Sequence, residues 1–539
     1  MKLEEKYIPP SSKLMADYTN EEQTILRYFS YGPSLKQARK RLETLESHPV
    51  DREKLVSIIA SYMEPFGISE AARQNLERFE KGASVVVTGQ QAGLLTGPLY
   101  TVHKAISAIL LAKEASEKLD TPVVPVFWIA GEDHDLAEIC HIYRETNGRV
   151  EKLNYPHAKL GKCAASHAPL KADEIEAFLE EYFRSLPETV HTKEIHSLVF
   201  GHLEKADTFT AFFASLLNHF FNQEGLLYID AAYEQLRAYE SSFFSQIIGN
   251  SKAIAKTVVE TEIALQEDGY TAGIDAKEEA AHLFITIEGE RLLLERDGSR
   301  FAVKNTAISY TEQELLEIAK NEPQRLSNNV VTRPLMQDLV FPVLAFVGGP
   351  GEIAYWAALK GAFEVMGMEM PIVMPRLSVS LVDRRTAALL EKRDLSFEEV
   401  VVERKIPQLR NELFDHIRDE ETEAKIDEVK QGLAKEYEEL ISRFTAVSAG
   451  LTPLAEKNLR IHLAQLDFLK HKLQDEVAIQ NSTQFNQLAT IENALLPESG
   501  LQERIYNPVP YLNQYGKALV EDLLALPMKY DNTHKIVTL

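Results

Sequence analysis

The sequence has few cysteines and no long apolar run. Cys140 and Cys163 are the only two cysteines in 539 residues, too few for a disulfide framework, which favours a reducing compartment. No segment approaches the roughly 18 consecutive apolar residues of a membrane-spanning helix. The first residues, MKLEEKYIPPSSKLM, lack the apolar stretch of a secretory signal. We therefore expect a soluble, cytoplasmic protein without a membrane partner.

Positive charge is scarce as well. The 58 lysines and arginines stand against 81 aspartates and glutamates, so the formal net charge is −23 at pH 7. A strongly acidic protein repels phosphate backbones, and the chain has no dense basic cluster. Nucleic acid is therefore not expected as a partner.

Several catalytic signatures are absent. There is no GxSxG nucleophile elbow, and no glycine-rich loop carries the lysine of a P-loop. The densest Cys/His positions, Cys140-His141 and His157…Cys163…His167, match no common zinc-site spacing. We expect no zinc and assign no metal ligand.

The apolar segments predict a parallel α/β core. A β-branched strand at Val85–Val87, a helix at Pro98–Leu119 and a strand at Pro122–Ile129 that is apolar on both faces indicate a βαβ unit. The same strand–helix–strand pattern recurs later in the chain, with a predicted strand at Val340–Val347, a helix at Gly351–Met366 and a strand at Met370–Met374.

The remaining regions differ from this core. The insertion contains a predicted strand meander at His282–Val303 with an Asp297-Gly298 hairpin turn. Apolar residues with alternating three- and four-residue spacing from Ile426 to Val447, a Gly/Pro turn and a second stripe from Leu459 to Val477 predict an antiparallel coiled-coil hairpin. Such a hairpin is either an intrachain helix pair or a dimerisation arm.

We predict that the chain has five regions. They are 1–135, N-terminal helices and the first half of the core; 136–330, the insertion; 331–384, the second half of the core; 385–505, the helical arm; and 506–539, a C-terminal segment, turn-rich and then briefly helical, that packs on the core.

A glycine-rich loop joins the first strand to the first helix, in VVVTGQQAGLLTGPLYTVHKA (85–105). A strand that runs through such a loop into a helix N-terminus can direct free backbone N–H groups at an anion. The alternative is a glycine turn that only packs the helix on the strand. The candidate ligand-binding residues here are Gly89, Gln90, Gln91, Gly93, Thr96, Gly97, Tyr100, His103 and Lys104.

Ionisable residues follow the second strand, in Gly131-Glu132-Asp133-His134-Asp135. Open α/β sheets bind ligands at this edge. The carboxylates could hold Mg²⁺, bind a substrate amine or act as a general base, and His134 could transfer a proton near neutral pH. The alternative is an N-cap cluster for the next helix.

Two further turns follow predicted strands. Phe346-Val-Gly-Gly-Pro-Gly-Glu352 leads into a helix that carries Tyr355, and Pro375-Arg-Leu-Ser-Val-Ser380 carries Arg376 and Ser378. The second could bind a phosphate or be a simple capped turn. Because the sheet is parallel, all four turns should converge on one crevice.

Two of these turns resemble motifs of class I aminoacyl-tRNA synthetases and related nucleotidyltransferases. TGPLYTVHKA is similar to the HIGH signature, with Tyr100 at the first histidine, His103 at the second, and Val102 in place of the central glycine. Arg376-Leu-Ser-Val-Ser380 is similar to the KMSKS loop, with arginine and valine in place of its two lysines. These losses bring the usual adenylate-forming role of the loop into question.

Over nearly its full length, the chain resembles the bacillithiol synthase family of cysteine ligases, through TGQQAGLLTGPLYTVHK, PVFWIAGEDHD and FVGGPGEIAYW. The resemblance implies a Rossmann-like core with connecting-peptide insertions, a coiled-coil domain that forms a homodimer, and addition of cysteine to the amino group of glucosaminyl malate. It also implies activation of the cysteine carboxylate, for which we expect ATP, with Mg²⁺ compatible and the product, ADP or AMP, open.

We assign roles on this basis. The catalytic candidates are His103, Lys104, Asp133, His134 and Asp135, with His134 or Asp135 as the base that deprotonates the attacking amine. The substrate-binding candidates are Gln90, Gln91, Thr96, Tyr100, Glu132, Arg333, Glu352, Tyr355 and Arg376, with Arg333 and Arg376 for the malate carboxylates. The nucleotide-binding candidates are Gly89, Gly93, Gly97, Gly348, Gly349 and Ser378 in the core crevice, and Tyr506 and Asn507 for the alternative of a second site between the core and the helical arm, in the turn 506–516.

Two other functions use the same residues. A nucleotide-binding regulatory or scaffold protein would bind nucleotide without turnover. A metal-dependent amide hydrolase would use His134 and its acidic neighbours as ligands. Product formation from the three substrates and metal analysis of the purified protein distinguish these cases.

Overall fold

The structure is a computed structural model that describes residues 1–156, 161–271 and 273–539. Its strands are β1 (Lys2–Lys6), β2 (Ser84–Gln90), β3 (Val123–Ile129), β4 (His141–Thr146), β5 (Arg149–Asn154), β6 (Leu227–Asp230), β7 (Ala280–Ile287), β8 (Glu290–Asp297), β9 (Arg300–Val303), β10 (Ser309–Thr311), β11 (Leu326–Asn328), β12 (Val343–Gly348), β13 (Ile372–Pro375), β14 (Ser378–Val382) and β15 (His534–Thr538).

Its α-helices are α1 (Lys13–Thr19), α2 (Gln23–Leu26), α3 (Ala38–Leu45), α4 (Arg52–Met63), α5 (Glu70–Glu80), α6 (Tyr100–Leu119), α7 (Leu136–Ile139), α8 (Ala172–Ser185), α9 (Thr192–Leu203), α10 (Phe209–Phe221), α11 (Glu234–Glu267), α12 (Glu312–Asn321), α13 (Thr332–Val340), α14 (Pro350–Trp356), α15 (Lys360–Val365), α16 (Arg384–Arg393), α17 (Phe397–Val401), α18 (Ile406–Ile417), α19 (Glu420–Val447), α20 (Thr452–Gln480), α21 (Ser482–Leu495), α22 (Val509–Tyr515) and α23 (Leu519–Leu524). No helix in the described ranges combines the length and the apolarity needed to cross a membrane.

The central sheet has the strand order β13-β12-β2-β3-β6, and all its neighbouring strands are parallel. Strands β2 and β3 are buried on both faces, and α6 connects them. The prediction of a Rossmann-like parallel core is confirmed. Because the strands are parallel, their carboxyl ends share one edge of the sheet, where ligands bind in open α/β folds.

Two predicted elements of the core have different limits. The strand expected at Val340–Val347 begins at Val343, because α13 extends to Val340 and Pro342, which has no N–H, follows. The predicted helix Gly351–Met366 is two helices, α14 and α15. The backbone N–H groups of Ala358 and Leu359 bond to carbonyls three residues back, a tighter turn that ends α14.

The insertion carries the predicted meander. Strands β7, β8 and β9 form it, with Gly298 in the turn between β8 and β9, and the antiparallel sheet has the order β10-β9-β8-β7-β11. A third sheet, β1-β15-β14, was not predicted. The C-terminal segment therefore ends in a strand after its helices, and its pairing with β1 joins residues more than 500 positions apart, which no local pattern reveals.

The described chain divides into two compact units. One comprises Met1–Thr146, Val150–Asp383 and Gly500–Leu539, and the other comprises Asn147–Arg149 and Arg384–Ser499. Within the second unit, α19 and α20 pair in antiparallel orientation, since Lys470 bonds to Asp427 while Tyr437 bonds to Asn458. The coiled-coil hairpin is thus confirmed.

Candidate active site

A cavity of about 460 Å³ lies at the carboxyl edge of the central sheet. The predicted residues that line it are Gly89, Gln90, Gln91, Tyr100, Lys104, Asp133, Arg333, Gly349, Glu352, Tyr355 and Arg376. The expected convergence of turns on one crevice is therefore present. We call this cavity the core cavity.

A second cavity of about 810 Å³ adjoins it and is lined in part by β7 and β8 of the inserted sheet. We call it the insertion cavity. The predicted residues His134 and Asp135 line the insertion cavity. The two cavities share a wall made of Gln91, Asp133, Glu138, Val330 and Arg333.

The glycine-rich loop contributes to the core cavity only through its first residues. A Cβ at Gly89 would lie 2.5 Å from the carbonyl oxygen of Trp128, so glycine allows β2 and β3 to approach closely. Beyond it, Gly93 packs directly against Gly97, and Thr96 is buried. Gly93, Thr96 and Gly97 line neither cavity. This half of the loop is a packed turn, the alternative that the sequence left open.

Lys104 lies at the core cavity with its ammonium group fully engaged. Its Nζ donates to the carbonyl of Gly89 at 2.8 Å and to Oε1 of Gln90 at 2.9 Å, and it pairs with Glu352. Burial lowers the pKa of Lys104, and the Glu352 carboxylate opposes that shift. With three acceptors for three N–H groups, Lys104 ties the end of β2 to α14 and has no donor to spare for a ligand.

His103 does not reach either cavity. It is completely buried, and its Nδ1 donates to Oε2 of Glu503 at 2.9 Å. Burial lowers the pKa of His103, which keeps the ring neutral. We interpret His103 as a positioning residue for Glu503.

Glu503 is the centre of a buried network that the sequence did not reveal. Arg376 donates to its two oxygens at 2.9 and 2.7 Å, and Ser378 Oγ and the backbone N–H of Val379 donate at 2.7 and 3.0 Å. Burial opposes ionisation of Glu503, but Arg376 and His103 outweigh it and hold the pKa of this carboxyl well below its ordinary value. The network fixes Arg376 at the cavity wall and keeps Ser378 outside the cavity lining.

Glu132 is buried behind the shared wall. Its carboxylate accepts from Arg333 Nε at 3.0 Å, from the backbone N–H of Asn328 at 3.2 Å, and from Arg237. Burial opposes ionisation of Glu132, but Arg237 and Arg333 hold its pKa below the ordinary value. Since Glu132 lines neither cavity, its effect on a ligand would pass through Arg333.

Asp133 occupies the shared wall itself. Its carboxylate accepts from Gln91 Nε2 at 3.0 Å and from Arg291 at 3.4 Å. Burial opposes its ionisation, but Arg333 and Arg291 lower its pKa, so Asp133 is an anion at neutral pH. A carboxylate in this place suits a substrate ammonium group.

His134 is held by a residue of the inserted sheet. Its Nδ1 lies 2.9 Å from an N–H group of Arg291, whose guanidinium stacks 3.7 Å from the ring centre of Phe284. Arginine has only donors, so Nδ1 must accept and the neutral ring carries its proton on Nε2. Burial and then the charge of Arg291 lower the pKa of His134. These contacts favour His134 as an N–H donor over the general base we expected.

The third turn is organised by Glu352, which accepts from the backbone N–H of Gly349 at 2.8 Å and caps α14. Gly348 does not line the cavity, and its carbonyl accepts from the backbone N–H of Arg376 at 2.9 Å. Tyr100 and Tyr355 add aromatic wall, and burial raises the pKa of both phenols.

The last two nucleotide-binding candidates lie elsewhere in the same unit. The backbone carbonyl of Tyr506 accepts from Leu99 N–H at 2.7 Å, and Asn507 donates to the hydroxyl of Tyr182 at 2.9 Å. Both are buried, and neither lines either cavity.

Several lining residues were missed by the sequence reasoning, namely Trp128, Glu138, Arg291, Gln337 and Arg504. Trp128 lies in the predicted strand before the acidic turn and Glu138 lies three residues after it, so their positions in the sequence are a local signal for both. Arg291 and Arg504 carry no local signal. Among the described residues no group of three or more His, Cys, Asp or Glu side chains is arranged to hold a metal ion. His157 is outside the described residues.

The donor set of the core cavity fits an anionic ligand. Arg333, Arg376 and Arg504 line it together with aromatic side chains, and the guanidinium of Arg376 lies 5.7 Å from the ring centre of Tyr100. Guanidinium groups bind carboxylates and phosphates with two parallel hydrogen bonds. The fold and the site together define a Rossmann-like α/β enzyme with a two-chambered cleft.

Comparison with known proteins identifies the family. Residues 1–377 match the bacillithiol biosynthesis BshC N-terminal Rossmann-like domain, and residues 379–539 match the BshC C-terminal coiled-coil domain. The chain therefore belongs to the bacillithiol biosynthesis BshC family, which confirms the resemblance inferred from its motifs.

Relatives align over nearly the whole chain. A protein of Lysinibacillus sphaericus is 43% identical over 524 residues, which cover 97% of each chain. A protein of Bacillus licheniformis is 36% identical over 544 residues, which cover 100% of each chain. Both are named "Putative cysteine ligase BshC". These names support the expected ligase class. A solved structure from Campylobacter jejuni, named "putative arginyl t-RNA synthetase", is 10% identical in sequence. The alignment covers 89% of this chain and 100% of that chain, and its TM-score of 0.23 is too low to carry an argument.

Proposed function

We propose that this protein is the ligase that joins cysteine to the amino group of glucosaminyl malate. Family membership supports the reaction class, and the relatives carry the name of a cysteine ligase. The observation that carries the proposal for the site is the shared wall between two cavities. A ligase must bring two substrates together, and adjoining chambers that meet at Asp133 and Arg333 offer that arrangement.

The core cavity suits the carboxylate side of the reaction. A free carboxylate does not react with an amine at a useful rate, and ATP, when bound, would supply the phosphoryl or adenylyl group that makes it reactive. Arg333, Arg376 and Arg504 would hold the negative charges, with Mg²⁺ as a compatible companion. Glu503 and Glu132 orient two of these arginines through direct hydrogen bonds.

The amine side belongs at the shared wall. Asp133, an anion between Gln91 and Arg291, would receive the substrate ammonium group. The attacking nitrogen must lose a proton before or during bond formation, and Asp135, which lines the insertion cavity, is the neighbouring carboxylate for that step. The new C–N bond forms as the activating group leaves the cysteine carbonyl with its electron pair.

We also propose that the protein is a homodimer through its helical arm and that it works in the cytoplasm. On α20, Leu454, Ile461 and Phe468 recur every seven residues and are 60, 50 and 53% exposed. A heptad stripe that its own hairpin leaves exposed favours a second copy as its cover. Both cysteines are free, in keeping with a reducing compartment.

The test is product formation by the full-length protein. Purified protein incubated with cysteine, glucosaminyl malate and ATP should yield bacillithiol, detected by mass spectrometry after thiol labelling. Asp133→Asn should reduce the rate by at least about 100-fold, in line with the loss of a positioned acid–base or charge partner. Gln74→Glu, an exposed change on α5, is the control. Nucleotide binding without product in wild type would overturn the proposal.

A further inference from the structure

The insertion cavity is larger than the core cavity and has a different lining. His282 and Phe284 of β7 and Arg291, Leu293 and Glu295 of β8 line it. Phe284 alternates with Arg291, Leu293 and Glu295 along the paired strands and shares one face of the inserted sheet with them, while His282 lies in the irregular stretch of β7 between Ala280 and Phe284 and has a φ of 57°. The sheet covers the carboxyl end of β3 with this face.

The lining of the insertion cavity carries charges of both signs. Its cations are Lys277, Arg291, Lys304 and Arg333, and its carboxylates are Asp133, Asp135, Glu138, Asp275, Glu279 and Glu295. Such a mixed surface suits a highly polar ligand with both amine and carboxylate groups and disfavours an apolar one.

The protonation of His282 is fixed by its neighbours. The side-chain oxygen of Asn329 accepts from the backbone N–H groups of Val331 and Thr332 at 2.8 and 3.2 Å. The amide nitrogen of Asn329 therefore faces His282 and donates to its Nδ1 at 3.1 Å. The neutral ring must carry its proton on Nε2.

That Nε2–H of His282 is buried and has no hydrogen-bond partner among the described residues. A buried, unpaired donor is costly in a folded protein unless a ligand or water meets it. His134 has the same tautomer because of Arg291. Two histidines of the insertion cavity are thus N–H donors, one from the core and one from the inserted sheet.

We propose that the insertion cavity is the binding site of the amine acceptor, a glycoside that carries two carboxylates, and that the inserted sheet selects it. His282 and His134 donate to its oxygen atoms, and its amino group reaches Asp133 at the shared wall. The ammonium group of Lys304, which pairs with Glu295 Oε1 at 2.8 Å, turns its remaining N–H groups to the ligand's negative charge. The cysteine then occupies the core cavity. This assignment rests on the proposed ligase function.

The first test measures the Michaelis constant (KM) of each substrate and asks which of them a variant changes. Lys304 is 45% exposed and pairs with Glu295 Oε1 at 2.8 Å; since an exposed ion pair contributes little stability, Lys304→Glu should still fold. It should raise the KM for glucosaminyl malate by about 10-fold or more while the KM for cysteine stays within twofold, as expected for loss of a hydrogen bond to a charged group. Arg300→Glu, an equally exposed charge reversal on β9 that lines neither cavity, should change neither constant.

A second variant and a second ligand make the result specific. His282→Leu should raise the acceptor KM in the same way, and His282→Gln should restore part of it because its amide also donates. With glucosamine that lacks the malyl group, Lys304→Glu should have little effect. A rise in the KM for cysteine or ATP, or no change in any constant, would overturn the assignment.

Calorimetry keeps this inference separate from the proposed function. Binding of glucosaminyl malate alone to the full-length protein should weaken by about 10-fold or more in Lys304→Glu and stay unchanged in Arg300→Glu. This holds whether or not wild type forms product. Equal binding to all three proteins would place the acceptor outside the insertion cavity.

Discussion

At the residue scale, burial and Arg291 together set the protonation of His134. The ring also faces Asp133 and Asp135, which raise its pKa, and Lys162 and Arg291, which lower it, while burial has the largest effect. Arg291 contributes both its charge and the hydrogen bond that occupies Nδ1. Burial, together with these two effects of Arg291, thus keeps His134 neutral.

Replacing Arg291 should therefore change the titration of His134. We expect Arg291→Met to raise the pKa of His134 toward the ordinary value of about 6.5, because the opposing charge is gone and Nδ1 is free. NMR titration of ¹³C-labelled histidines, with His134→Asn to identify the signal, measures it. Arg296→Met, on the same strand but bonded to Ser251, is the control. An unchanged His134 pKa in Arg291→Met would contradict this view.

Glu503 should make stability depend on pH. Its folded pKa lies well below the value of about 4.3 for an unfolded chain, so the stabilisation is complete above that value and lost as pH falls through the folded pKa. We expect Glu503→Gln to lower the free energy of unfolding by about 3–5 kcal/mol at pH 7, with a constant difference down to pH 5.

Urea denaturation of both proteins from pH 8 to pH 3 measures this difference, which should narrow below about pH 4.3 as wild type loses its advantage. Glu521→Gln, an exposed carboxylate on α23, should follow wild type throughout. If the difference in the free energy of unfolding between the two proteins were the same at pH 3.5 as at pH 7, the charge of Glu503 would not be what stabilises the fold.

Local patterns predicted the residue types of the site better than their roles. Tyr100, Lys104, Asp133 and Arg376 line the core cavity, as the turns suggested. His103 is a candidate because it lies in the first turns of the helix after the glycine-rich loop and fits a HIGH-like motif, yet its partner Glu503 lies 400 residues away. Neither this distance nor the saturation of Lys104 can be read from neighbouring residues, because both depend on tertiary contacts.

At the element scale, the loop between β2 and α6 stores backbone strain. Leu95, Thr96 and Gly97 have φ angles of 53, 70 and 71°. Gly97 combines this with a ψ of −162°, a region that is nearly restricted to glycine. The loop is buried, so packing holds it in this conformation, and the glycine serves the turn instead of an anion.

Gly97→Ala should therefore destabilise the protein. We expect a loss of about 1–3 kcal/mol in the free energy of unfolding, the usual cost of a side chain in a disfavoured region. Chemical denaturation followed by circular dichroism measures it. Gly249→Ala, inside α11 with open space around its Cβ, should stabilise by up to about 1 kcal/mol. Equal effects of the two changes would show that backbone conformation is not the cause.

Elements with strong periodicity were predictable, and elements defined by distant partners were not. The strands β2 and β3 and the long helices α19 and α20 follow their sequence patterns. The division of Gly351–Met366 into α14 and α15 does not follow a sequence pattern, because no helix-breaking residue marks the tight turn. Instead, Trp356 stacks between Phe346 and Phe363 at this place. Strand β15 pairs with β1 and β14, so its partners lie far away in the sequence.

At the scale of the whole molecule, the cleft is assembled from distant parts of the chain. The parallel sheet gives Gln91, Asp133 and Arg376, and the insertion gives Arg291. Residues 500–539, which belong to the same compact unit, give Arg504 and, behind the wall, Glu503. The sequence predicted the parallel core and its edge, because buried strands and turns are local. It could not predict that the insertion supplies a second chamber, since that depends on how β7 and β8 pack.

The exposed stripe of α20 should control the oligomeric state. Burying Leu454, Ile461 and Phe468 against a second copy would remove apolar surface from water, at about 25 cal/mol for each Å². Two charges placed on that stripe would have to be desolvated, so Ile461→Glu combined with Phe468→Glu should convert the proposed dimer to a monomer. Light scattering after size-exclusion chromatography, at matched concentrations, measures the mass.

The choice of control makes the result specific to the stripe. Arg460→Glu also introduces a carboxylate on the exposed surface of α20, but it lies off the seven-residue repeat, so it should leave the dimer intact. Both cavities lie wholly within the first unit, so the monomeric variant should still bind glucosaminyl malate with the affinity of wild type. A double variant that remained dimeric would move the interface elsewhere, and one that lost binding would show that the second copy shapes the site.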